Sequence, residues 1–174
     1  MDKIQTLSIA GVVCLIASAT ASAQPAWSIV ESKSPTDGSP QVSAGLVVGD
    51  AALILRCREQ KTEAAFSTKD TYLGDKPVTM RFRINSEDPI KEIWRPSVDG
   101  RAAFAPKPED FIRALPDRGR VFFRALDAAG ETKDANFILS GVPEIRDKIG
   151  RACNWPSVQD ESTGSINPSQ KRRP

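Results

Sequence analysis

The stretch VTMRFRIN, residues 78–85, decides the fold. Val78, Met80, Phe82 and Ile84 alternate with Thr79, Arg81, Arg83 and Asn85. Successive side chains of a strand point to opposite sides, so one face belongs to a core and the other carries two arginines into solvent. Arg81 and Arg83 have two readings, an ordinary wet sheet face or part of a binding strip.

Similar short segments lie on both sides of this strand, separated by turn formers, as in antiparallel sheets. Upstream, Trp27, Ile29 and Glu31 open a strand that stops at Ser34, Pro35, Asp37 and Gly38. Val42, Ala44 and Leu46 alternate with small or polar residues up to a turn at Gly49 and Asp50. Leu53, Leu55 and Cys57 share a strand face, and a tight connection near residues 59–61 leads to a return strand over 62–68. Downstream, IKEIW and RAAF are strands joined through Pro96, Ser97, Asp99 and Gly100. RVFFRAL and ANFILSG form the last pair, with Gly130 at the bend.

Two segments read as helices. Pro108, Glu109 and Asp110 precede FIRAL, whose Phe111, Ile112 and Leu115 can face inward, with the acids at the positive helix end and Pro116 as a stop. In VPEIRDKIGRAC, Pro143 and Glu144 suit a first turn and Val142, Ile145 and Ile149 recur at helical spacing, with Cys153 at the end.

The ends differ from the middle. Residues 7–17 are apolar and are followed by small residues, with Ala21 and Ala23 placed for a peptidase, so 1–23 reads as a signal peptide cleaved before Gln24. The apolar run is shorter than the roughly 20 residues that cross a bilayer, and no transmembrane segment is expected after cleavage. Cys14 follows Gly11, Val12 and Val13, which is not a lipidation pattern, and it leaves with the peptide. Residues 24–155 form one domain of periplasmic or secreted location, and 156–174, with Pro156, Pro168 and Pro174, read as a disordered tail ending in Lys171, Arg172 and Arg173.

Cys57 and Cys153 are then the remaining thiols, and in an oxidising compartment they should pair. Closing so long a loop is worth about 4 to 5 kcal/mol in the chain-entropy model. The bridge would pin the terminal helix to an early strand. The expected fold is mainly β, of the α+β kind: an antiparallel sandwich or strongly curved sheet with a short helix and a disulfide-anchored C-terminal helix.

Chemistry is scarce. The chain has no histidine, which removes the commonest general base and metal ligand, and paired cysteines supply no thiolate. Glu87 with Asp88 and Glu109 with Asp110 are adjacent acids where a turn or helix start would favour them anyway. Single scattered glycines build no phosphate loop, and no acidic loop has EF-hand spacing. No catalytic, cofactor or metal residue is assigned, and a formal net charge of +2, from 24 basic and 22 acidic residues, argues against nucleic acid as partner.

The densest local pattern is WRPSVDGRAAF, residues 94–104. Ser97 and Asp99 can bond nearby amides, so Trp94 and Phe104 read as aromatic anchors of a structural turn. The alternative is a partner site, in which an exposed Trp94 stands beside Arg95 and Arg101 as a protein-binding hot spot.

Taken in order, Trp27 with the SPTD of 34–37, LILRC of 53–57, RFRIN of 81–85, WRPSVDGRAAF, NFILSG of 136–141 and the closing Cys153, Asn154 and Trp155 resemble the type VI secretion-associated VasI/TagO family. The likeness spans the domain and spares the leader and tail. It implies an envelope accessory protein that binds another envelope or secretion-system protein, and it carries over no catalytic residue. The competing expectation is a periplasmic inhibitor of a hydrolase such as lysozyme, although a mildly basic chain is poorly attracted to a basic enzyme.

Overall fold

The computed structural model describes residues 26–127 and 129–156. The expected signal peptide, and the expected tail apart from Pro156, lie outside the described residues. Within them the order is β1 (Ser28–Lys33), β2 (Pro40–Val48), β3 (Ala51–Arg58), β4 (Lys61–Thr68), β5 (Val78–Ile84), β6 (Ile90–Pro96), β7 (Ala102–Phe104), α1 (Pro108–Ala114), β8 (Arg118–Leu126), β9 (Thr132–Ser140) and α2 (Val142–Ala152). Trp27 lies just before β1, half-buried and packed against the core.

The strands form a single antiparallel sheet in the order β1-β2-β3-β4-β7-β6-β5-β8-β9. Of the two expected arrangements, the curved sheet is the one adopted. Four strands meander from β1 to β4; the chain then passes to β5, three places away, and returns through β6 and β7 to pair with β4. β8 and β9 extend the other side of β5. The sheet curls until β9 comes within contact of β2. Its concave side encloses one core.

Alternation produces that core directly. Val78, Met80, Phe82 and Ile84 are buried while Arg81 and Arg83 are exposed. Val121, Phe123 and Ala125 of β8 and Ala135, Phe137 and Leu139 of β9 repeat the pattern. Six aromatic rings, of Phe66, Phe82, Trp94, Phe111, Phe123 and Phe137, meet in edge-on and tilted pairs with centroids 5.5–6.4 Å apart. These are the spacings at which ring quadrupoles attract.

The β3–β4 hairpin has a two-residue turn, Glu59 and Gln60, both at positive φ (51° and 58°). That is the twist a tight hairpin needs, held here by residues with side chains rather than by glycine.

Both helices close the sheet. α1 buries Phe111 and Ile112 beside β4 and ends where Leu115 turns extended before Pro116. α2 starts after Gly141, whose φ of 71° turns the chain out of β9. Its buried stripe, Val142, Ile145, Ile149 and Ala152, packs on β2 and β3. Cys57 of β3 bonds Cys153 at the end of α2, their Cα atoms 5.6 Å apart. Lys148 ties the same helix to Glu31 of β1, and the Trp155 indole N–H donates to Thr62 Oγ1 at 2.7 Å.

Candidate functional site: a cationic strip on the convex sheet

Sheet register brings together charges that lie far apart in sequence. Arg81 of β5 stands directly opposite Lys91 of β6 on one side and Arg124 of β8 on the other. Neighbouring strands are about 4.8 Å apart, so the three cations form one row. Arg83, two positions along β5, faces Phe122 of β8. All four cationic side chains are exposed.

Among the described residues one carboxylate meets this row. Asp134 of β9 lies opposite Arg124 and accepts from its Nε at 2.7 Å and its Nη2 at 2.5 Å. The hydrogen bond from Arg124 holds Asp134 below the ordinary carboxylate range, and the same bond raises Arg124. Among the described residues no carboxylate pairs with Arg81, Arg83 or Lys91 in an ion pair. Like charges directly opposite one another destabilise a sheet, so folding alone gives no reason for this row. Beside it a shallow cavity of about 350 Å³ is lined by Thr79, Arg81, Lys91, Arg124, Leu126 and Thr132. Cations and hydroxyls around a dish of this kind suit a carboxylate or another oxyanion.

The residues of the hairpin separate. Trp94 is fully buried, with Phe82, Phe111 and Phe123 at 5.7–6.0 Å, and its indole N–H donates to Glu92 Oε2 at 2.8 Å. This corrects the reading of Trp94 as an exposed contact. Trp94 pairs with the inward-facing Val78, and that register turns it into the core. Phe104 pairs with Arg95 on the opposite, convex face, with the Arg95 guanidinium 5.0 Å from its ring centre. The two aromatics therefore do not anchor the turn from one side.

Ser97 and Asp99 are occupied within the turn. Ser97 Oγ donates to Asp99 Oδ1 at 2.5 Å, the Arg101 backbone N–H donates to Asp99 at 3.2 Å, and the Ala102 N–H donates to Ser97 Oγ at 2.9 Å. The Ser97 bond, then the Arg101 amide, lower the Asp99 carboxyl. Arg101 donates to the Lys69 carbonyl. Gly100, at φ 65°, packs so closely on Tyr72 that a Cβ there would lie 2.1 Å from the ring. At the tip Val98 is fully exposed.

Of the adjacent acids, Glu109 accepts from Arg113 Nε at 2.9 Å, and Glu87 and Asp88 lie exposed after β5. Among the described residues no group of three His, Cys, Asp or Glu converges, and no helix is long and apolar enough to cross a membrane. Sequence reading missed Lys91 and Arg124, because they join Arg81 through strand pairing alone. Comparison with protein-family models, curated proteins and solved structures finds no match to the chain.

Proposed function

We propose that this chain is an exported cell-envelope accessory protein that binds another protein through the cationic strip and catalyses no reaction. The row of Lys91, Arg81 and Arg124, met among the described residues by the carboxylate of Asp134 alone, carries this reading. A cationic surface left unmatched in the free protein steers an acidic partner and excludes a basic one. A leader-like start and a bridge between distant segments suit the envelope, and the VasI/TagO resemblance points to an accessory role beside type VI secretion. The wet-face reading leaves the like-charge row without a purpose.

The test is recovery of crosslinked partners from periplasm, comparing the native chain with Arg81→Glu/Arg83→Glu. The expected outcome is loss of an acidic partner from the variant and a steep fall in native recovery as salt rises. Identical partners from both proteins would reject the strip. Inhibition of lysozyme by a modest excess of protein would replace this reading with the inhibitor.

A further inference from the structure

The sheet is interrupted beside β7. That strand ends at Phe104 after three residues, and the chain leaves through Ala105 and Pro106 for α1. Beyond this point β4 and β6 have lost the strand between them. Lys61–Glu63 pair with β3 alone, and Ile90–Trp94 with β5 alone. The last bond across the vacated side of β4 runs from the Ala105 N–H to the Ala64 carbonyl.

On β6 the Ser97 N–H bonds across to the Ala102 carbonyl. Alternation along an antiparallel ladder therefore aims the Arg95 and Ile93 peptide groups at the same side. Continuing that ladder would set Pro106 opposite Ile93, and proline has no N–H to offer. The result is an open strand edge on a groove of about 510 Å³, lined by Lys61, Glu63, Ile93, Arg95, Phe104 and Pro106.

The lining states what would fit. Ile93 is 53% exposed and Phe104 is half-buried, giving apolar footing. The Phe104 ring lies between two guanidiniums, Arg95 at 5.0 Å and Arg56 at 5.9 Å. Arg56 is taken by Glu63 at 2.5 Å, which leaves Arg95 and Lys61 as the cations facing an occupant. Unpaired strand edges are templates for an added strand, with backbone bonds giving affinity and alternate side chains giving selectivity.

We infer that this groove takes an extended, acidic segment of a partner protein, laid along the free edge of β6 with apolar side chains on Ile93 and Phe104 and carboxylates on Arg95 and Lys61. It shares no residue with the row of Arg81, Lys91 and Arg124, so either surface can fail alone.

The experiment is an amide NMR and hydrogen-exchange titration of the oxidised protein with three capped octapeptides. One carries valine and glutamate in turn at every second position with serine between, so that both side-chain types fall on one face, one replaces glutamate with lysine, and one is the glutamate peptide with alternate amides methylated. Before addition, the Ile93 amide should exchange rapidly. The glutamate peptide should give saturable shifts and slowed exchange centred on Ile93 and Thr62, with the other two peptides binding at least roughly tenfold more weakly. Arg95→Glu should weaken the glutamate peptide by a similar factor, whereas Arg81→Glu/Arg83→Glu should change it less than about twofold.

No saturable shift at Ile93, or equal binding of the methylated or lysine peptide, would overturn the assignment. An Ile93 amide already protected in the free protein would also overturn it. Protection that grows with protein concentration would name a second copy as occupant, and concentration-independent protection would name the chain itself.

Discussion

The two halves of the sheet treat an outward arginine in opposite ways. On β3, Arg56 faces Glu63 across the β4 ladder, donates to it at 2.5 Å, and both side chains are about three-quarters covered. On β5, Arg81 faces Lys91 and Arg124, and the nearest matched carboxylate is one strand further away on β9. The first half also carries the bridge, α2 and the Lys148–Glu31 link, whereas the second is held from within by its aromatic rings. Where charges are matched across strands they belong to the architecture; where they repel, they are available to something outside it.

The largest way to disturb the first half alone is to remove its staple. Cys57→Ser/Cys153→Ser should lower unfolding free energy by about 4 kcal/mol, read as a shift in the denaturant midpoint. The second half should answer to its rings. Trp94→Ala empties a fully buried site and should cost roughly 3 to 5 kcal/mol, while leaving partner recovery from folded protein intact. Full stability in Trp94→Ala would mean that the indole is outside the core and would restore it as a surface contact.

The smallest pair of changes compares the arginines themselves. Arg56→Ala should cost on the order of 0.5 to 1 kcal/mol, from a partly covered ion pair and its contact with Phe104, whereas Arg81→Ala should leave stability within about 0.5 kcal/mol or raise it slightly. Equal losses at both sites would show that Arg81 is structural after all, and the contrast between the halves would disappear.

Much of the fold was legible because its signals are local. The alternation in Val78–Ile84, the turn residues at Gly49 and Gly100, and the helical spacing of Val142, Ile145 and Ile149 each act within a few residues. The pairing of Cys57 with Cys153 was legible by elimination, once Cys14 was assigned to the leader. β6 shows where such reading fails. Ile93 and Trp94 are adjacent and both apolar, so alternation alone does not say which is inside. Pairing of Trp94 with Val78 sends the indole inward and leaves Ile93 on the convex face beside Lys91 and Arg95.

The candidate site was legible only in part, for the same reason. Arg81 and Arg83 stood out on a single strand, but the row exists because β5 lies between β6 and β8, and the groove exists because β7 stops at Phe104.

By itself the amino-acid order determined the period of each segment, the turns between them and the two cysteines left to bond, since these depend on neighbours along the chain. Only the tertiary structure decided which strands became neighbours, and so which cations share a row and which edges stand open. That choice is made by contacts between residues far apart in sequence, which compete for one core and leave no local periodic trace.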